Sequence, residues 1–199
     1  MSRVLLIGSN NADKAAELRA LLADTAWEVR MLSDYPEVEE PEETEETFEG
    51  NALLKARYYG SQFGVACVAD DSGLEVEALD GAPGVYSARY AGEDCSYDDN
   101  NRKLLGALDD YIVEGRRKAR FVCCAAYVGE DGTEHVEIGT VDGGIAPMPR
   151  GTRGFGYDPV FLPHRSIKTF GEMTPEEKAK ISHRGEAFRK LREYLLTLD

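Results

Sequence analysis

The chain has 199 residues, 42% apolar and 30% charged, with a formal net charge of −14, the make-up of a soluble globular protein long enough for a substantial core. No apolar run approaches the roughly 20 residues of a membrane span, and MSRVLLIGSNN reads as a strand and polar loop rather than a signal peptide, so a cytoplasmic protein is expected. The acidic balance argues against a protein that grips nucleic acid through its phosphates, and Cys67, Cys95, Cys123 and Cys124 lack the spacing of a zinc site or a disulfide framework.

In chain order, VLLI predicts a short strand that ends in Gly8-Ser9-Asn10-Asn11, and ADKAAELRALLADT follows with Ala15, Leu18 and Leu22 at helical spacing. WEVRML predicts a second strand. From Asp34 to Glu49 the chain carries nine acids, no base and two prolines, a pattern for a solvated loop rather than a helix or a central strand. TFEGNALLKARYYGSQF then reads as a helix stopped by Gly64, and VACVA as a strand that delivers Asp70 and Asp71 to a bend at Ser72-Gly73. Beyond a Gly/Pro-rich stretch, YDDNNRKLLGALDDY predicts a helix, and residues 119–146 predict two strands joined by a turn at Asp131-Gly132. A glycine-rich loop, RGTRGFGYDPVFLP, precedes a final helical segment opened by the capping box of Thr174 and Glu177, with Phe188, Leu191, Leu195 and Leu198 as its buried stripe. Strands alternating with helices, then a hairpin, define an α/β protein with a mixed sheet in one domain, 1–199.

Four groups of residues sit oddly in this scheme. Ser9, Asn10, Asn11 and Lys14 lie where a strand passes into a helix, a place suited to phosphate, although ordinary capping by Asn or Asp accounts for part of the pattern. Lys55 shares a helix side with Phe48, Ala52 and Tyr59, so it either meets an anion or snorkels past the core edge. Asp70 and Asp71 point to opposite faces of a strand, which disfavours a shared-proton pair and suggests that one reaches a ligand while the other orients groups behind it. GFGYDP, Lys178 and Ser182-His183-Arg184 offer an aromatic face, glycines that admit a ligand to the backbone, and donors for an oxygen-bearing base edge, although a tight turn and a second helix N-terminus capped by Ser182 account for them equally well. Three lysines suit a polyphosphate, and an aspartate with an acidic-loop glutamate suits a hard divalent metal. An aromatic loop with His-Arg suits a base, and a nucleoside triphosphate with Mg²⁺ satisfies all three.

SNNADK, ETFEGNALLKA, ADDSGLEVEALDGAPGVYSARYAGED, GTRGFGYDPVFLP and MTPEEKAKISHRGEAF resemble, in order and spacing, the inosine triphosphate pyrophosphatase family, which clears ITP, dITP and XTP from the nucleotide pool. The resemblance implies a long, twisted mixed sheet flanked by helices, two lobes with the active-site cleft between them, and a homodimer. It implies substrate contacts at Ser9, Asn10, Asn11, Ala12, Asp13 and Lys14, at Lys55 and Ser72, at Phe155, Gly156, Tyr157 and Asp158, and at Lys178, His183 and Arg184. Asp71 is implied as proton acceptor and metal ligand, Asp70 as its supporting carboxylate, and Glu43 as second ligand to Mg²⁺, for which Mn²⁺ can substitute. Gly50 departs from the family pattern, since some members carry a glutamate there.

The expected reaction is hydrolysis between the α- and β-phosphorus atoms, giving the monophosphate and pyrophosphate. Two rival readings remain open on the sequence: a phosphatase that uses an aspartate as covalent nucleophile, and a nucleotide-binding regulator that does no chemistry.

Overall fold

The computed structural model describes residues 3–22, 26–111 and 117–198. Among them are six strands, β1 (Val4–Ile7), β2 (Glu28–Met31), β3 (Ala66–Val76), β4 (Lys118–Val128), β5 (Glu134–Ile145) and β6 (Phe161–Pro163). The helices are α1 (Ala12–Leu22), α2 (Phe48–Phe63), α3 (Tyr97–Ala107), α4 (Pro175–Ile181) and α5 (His183–Leu196). The strands form one sheet in the order β2-β1-β3-β4-β5-β6. β1 pairs parallel to β2 and β3, with Leu6 opposite Arg30 and Cys67, whereas β5 and β6 are antiparallel, with Gly144 opposite Leu162. The fold is therefore the mixed α/β sheet with flanking helices that the alternation of elements predicts.

The chain divides into two compact units. Unit 1 comprises Met1–Asp71, Cys123–Gly139 and Arg184–Asp199, and unit 2 comprises Ser72–Val122 and Thr140–His183. Unit 1 is built on Leu5, Ile7, Leu18, Leu22, Val68 and Ala125 together with Phe188, Leu191 and Leu195 of α5, so the stripe read from the sequence is buried, with Leu198 partly buried beside it. Unit 2 has its own core, which includes Leu74, Leu104, Phe121, Tyr157, Phe161 and Phe170. Both cores are apolar side chains removed from water, each fully buried one contributing on the order of 1.5–3 kcal/mol.

One expectation needs correction. No bend occurs at Ser72-Gly73: β3 runs through both residues to Val76, because Gly73 is buried in extended backbone and the Leu74 N–H is satisfied by Ser87 Oγ at 2.9 Å. Sheet pairing overrides the local turn signal, and the chain turns later, where Asp80 (φ 52°) and Gly81 (φ 87°) take left-handed conformations. The final segment is two helices, the second starting where Ser182 was read as a possible cap. Thr174 and Glu177 form the capping box of α4, but Ser182 adopts extended backbone (φ −74°, ψ 153°) and ends it, and α5 begins at His183. The helix through Tyr97 ends at Ala107, ahead of Asp109-Asp110-Tyr111, and Ala23, Asp24 and Thr25 of the first predicted helix lie outside the described residues. The acidic stretch is a loop from Tyr35 to Glu46, as expected.

Candidate active site

In unit 1, β1 feeds the loop Gly8–Asn11 and α1 leaves it. Gly8 is required by close packing, since a β-carbon there would lie 2.9 Å from the Tyr59 ring and 3.0 Å from Cys67 Sγ. Asn11 caps α1, its Oδ1 accepting the Lys14 N–H at 3.1 Å, and Ser9 Oγ accepts the Asn11 N–H at 3.3 Å. Capping thus accounts for Asn11, as the ordinary alternative had it. Asn10 Nδ2 lies 3.3 Å from Glu40 Oε2 and from Tyr59 OH. Ala12 is exposed at the start of α1, and the side chain of Asp13 lies outside the described residues. A cavity of about 440 Å³ adjoins this loop, with Ser9, Asn10, Ala12, Tyr35 and Glu37 in its wall.

Lys14 and Arg184 both converge on Asp70. Lys14 Nζ lies 3.3 Å from Asp70 Oδ2, and Arg184 Nε lies 3.4 Å from the same oxygen. Arg184 NH1 also donates to Glu17 Oε2 at 2.8 Å. Burial works against the Arg184 charge, but Asp70 and Glu17 outweigh it and its pKa is raised. Glu17 is a residue that the sequence reading missed. Its signal was its place three residues after Lys14, on the same side of α1.

Asp71, one residue on and facing the other way, meets a different cation. Lys55 lies on the buried side of α2 with Phe48, Ala52 and Tyr59, and it does meet anions. Its Nζ donates to Asp71 Oδ1 at 3.0 Å and to Glu43 Oε1 at 2.8 Å. Burial disfavours the ammonium, yet Asp71 and Glu43 overcome that and raise its pKa. Asp71 moves in the opposite sense from its preference for ionisation: burial lifts its carboxyl above the ordinary aspartate value, Lys55 pulls it down and Glu43 pushes it up. Asp71 Oδ2 is buried and has no hydrogen-bond partner among the described residues.

The acidic loop is pinned to α2 by a side chain one turn before Lys55. Asn51 Oδ1 accepts the Glu45 N–H at 3.0 Å and Asn51 Nδ2 donates to the Glu45 carbonyl at 3.2 Å. Gly50, the departure from the family pattern, leaves room for this loop, because a β-carbon at 50 would sit 2.7 Å from Glu45 Cβ. Glu43 is thereby held two residues from an anchored backbone. Among the described residues no group of three or more His, Cys, Asp or Glu is placed to hold a metal ion, and Asp71 and Glu43 are two carboxylates that share the Lys55 ammonium.

In unit 2, the loop 154–158 is fixed by Asp158, whose buried Oδ2 accepts the Phe155 N–H at 2.9 Å and Lys178 Nζ at 2.8 Å. Gly154 and Gly156 have φ of 72° and 60°, and a β-carbon at 154 would collide with Asp158 Oδ2. Phe155 is half-buried, with Lys178 Nζ 4.6 Å from its ring centroid and the Tyr97 ring 6.2 Å away. Tyr157 lies in the core and donates its hydroxyl to the Ser87 carbonyl at 2.9 Å, so Phe155, not Tyr157, is the ring nearer solvent. His183 is buried and stacks on Phe121 at 4.5 Å with the rings nearly parallel. Phe121 gave no sequence signal, because in an apolar strand it looks like any core residue. Ser72 is half-buried on β3 beside Asp71.

Residues 5–194 match the profile of the Ham1 family, and the chain belongs to that family. It is 48% identical over 193 residues, 97% of each chain, to a protein of Exiguobacterium sibiricum named dITP/XTP pyrophosphatase, and 46% identical to the Shigella flexneri protein of the same name over 96% of each. Among solved structures it resembles the Ham1 protein of Staphylococcus aureus, with a TM-score of 0.87 at 40% identity, covering 99% of this chain and 100% of that one. A Ham1 protein from Coxiella burnetii superposes with a TM-score of 0.89 at 38% identity, over 98% and 99% of the two chains.

Proposed function

We propose that the chain hydrolyses non-standard purine nucleoside triphosphates, ITP, dITP and XTP, to the monophosphate and pyrophosphate, as the names of its relatives indicate. The observation that carries the catalytic assignment is the pairing of Glu43 and Asp71 on one buried ammonium, with Asp71 Oδ2 left without a hydrogen-bond partner. A buried carboxylate oxygen without a donor is costly, and a divalent cation or a water would meet that cost.

Two carboxylates and no nitrogen or thiolate ligands fit Mg²⁺, or Mn²⁺ in its place, an ion usually held by one or two carboxylates with phosphate oxygens and waters for the rest. Asp71 and Glu43 would hold it, and when bound it supplies charge neutralisation at the phosphates and a more acidic water. The remaining work belongs to the chain. Asp71 takes the proton of the attacking water. Asp70, whose Oδ2 meets both Lys14 and Arg184, orients those two cations instead. Lys14 and Lys55 stabilise charge on the leaving pyrophosphate, with the loop Ser9–Lys14 around the phosphates and Ser72 as a further contact.

The nucleoside falls to the 155–158 loop, Lys178, His183 and Arg184. Phe155 supplies a stacking face, and Asp158 and Lys178 hold the loop. Arg184 is fixed by Asp70 and Glu17, and its fork of five N–H donors, together with the His183 ring, favours a 6-oxo edge over a 6-amino group. Discrimination of that kind reaches the order of 10⁴-fold when a mismatch strands buried polar groups. Arg184→Ala is predicted to erode the kcat/KM preference for ITP over ATP by at least about tenfold, whereas an unchanged ratio would remove the base-reading role. In this reading the protein acts in the cytoplasm, without nucleic acid or membrane partners, as a homodimer, which sedimentation equilibrium tests.

A further inference from the structure

α3 carries two adjacent buried asparagines that the reaction does not use. Consecutive helical residues point about 100° apart, and the two amides engage different segments. Asn100 is fully occupied: its Oδ1 accepts the Ala91 N–H at 2.7 Å and lies 3.2 Å from Cys95 Sγ, and its Nδ2 donates to the Ala88 carbonyl at 3.0 Å. Asn101 reaches the glycine-rich loop, its Nδ2 donating to the Gly156 carbonyl at 2.9 Å. Its Oδ1 is buried without a hydrogen-bond partner among the described residues.

That orphaned acceptor argues against packing as the reason for an amide here. Leu104 and Leu108, further along the same segment, fill the unit 2 core with apolar groups, and an apolar side chain at 101 would leave no stranded oxygen. What the amide supplies is one donor aimed at one carbonyl. That carbonyl belongs to Gly156, in a loop where two of five residues have positive φ and which is closed as a turn by the Asp158 N–H donating to the Phe155 carbonyl at 3.2 Å. Asp158 fixes the loop at the Phe155 N–H, Tyr157 fixes it at Ser87, and inside the turn the Gly156 carbonyl is held by Asn101. Tyr97, one turn before Asn101, brings its ring alongside Phe155, so a single side of α3 supports both the ring and the backbone of the loop.

We propose that Asn101 is a positioning residue for nucleotide binding: through its hydrogen bond to the Gly156 carbonyl it orients the Gly156–Tyr157 peptide and so steadies the turn that presents the Phe155 ring. This rests on the reading that residues 155–158 take the nucleoside. Asn101→Asp keeps the shape but turns an oxygen toward the carbonyl, and Asn101→Ala removes the donor. Both are predicted to raise the KM for ITP about tenfold while kcat stays within about twofold, since the phosphate and carboxylate groups of unit 1 are untouched. Asn101→Gln, which keeps a donor on a longer arm, is predicted to recover part of the loss. Hydrogen exchange on the same variants is predicted to quicken at residues 155–158 relative to β4.

A folded Asn101→Ala enzyme with wild-type KM and unchanged exchange in the loop would overturn the inference, as would an equal fall in kcat with KM unaltered. If Asn101→Asp does not fold, the alanine variant and its exchange pattern decide the matter. Failure of the underlying functional reading looks different: wild-type enzyme would then show no ITP turnover and no calorimetric binding of ITP.

Discussion

Asp70 and Asp71 are neighbours in sequence that answer to different cations, Asp70 to Lys14 and Arg184 and Asp71 to Lys55. Alternation along β3 is the cause, and it separates an orienting carboxylate from a reacting one. Asp71→Asn preserves size while removing the charge and the base, so turnover of ITP is predicted to fall roughly 10³-fold or more with a circular-dichroism spectrum like that of the wild type. Retained kcat would show that another group takes the proton. Lys55 tests the same cluster from the other side. Lys55→Met leaves the buried Asp71 and the half-buried Glu43 without their cation, a loss of roughly 3–5 kcal/mol by the usual penalty for breaking a buried pair. Urea unfolding is predicted to show that loss, and Mg²⁺ is predicted to stabilise the variant more than the wild type. Equal Mg²⁺ effects on the two proteins would argue against Glu43 and Asp71 as metal ligands.

Elements place these residues, and here the sequence was legible unevenly. The N-cap and capping box of α4, the αL glycine that ends α2 and the burial of Lys55 on the inner side of α2 all follow from local chemistry. Ser72-Gly73 misled because a turn signal is a local preference, and β3 is held straight by long-range bonds, among them Leu74 to Ser87. The break at Ser182 was legible as one alternative, because Ser182 is a cap-forming residue ahead of His183-Arg184 and the second helix does begin there. Glu17, Asn101 and Phe121 were missed because each gains its meaning only from a partner far away in sequence, Arg184, Gly156 and His183 respectively. The glycine-rich loop is where local and tertiary constraints agree. Gly154→Ala imposes positive φ on a residue with a β-carbon and drives it into Asp158, so it is predicted to cost about 2 kcal/mol and roughly 5 °C in Tm, with a raised KM for ITP. A thermal melt and KM unchanged from wild type would show that Asp158 can give way.

At the scale of the molecule, a net charge of −14 opposes the approach of a polyanionic substrate. The unit 1 cluster resolves this locally, for Lys14, Lys55 and Arg184 stand against Asp70, Asp71, Glu43 and Glu17, which leaves the group one charge short of neutral before any metal is added. A divalent cation arriving with the substrate would make it net positive, so the acidity of the surface and the preference for a phosphate ligand do not conflict. The central claim is where the phosphate chain is cut. Incubation of the protein with ITP and Mg²⁺, followed by ³¹P NMR of the products, is predicted to give IMP and pyrophosphate in equal amounts. Release of orthophosphate with IDP would instead indicate a phosphatase acting at the terminal phosphate, and bound but unaltered ITP would indicate a protein that holds the nucleotide without cleaving it.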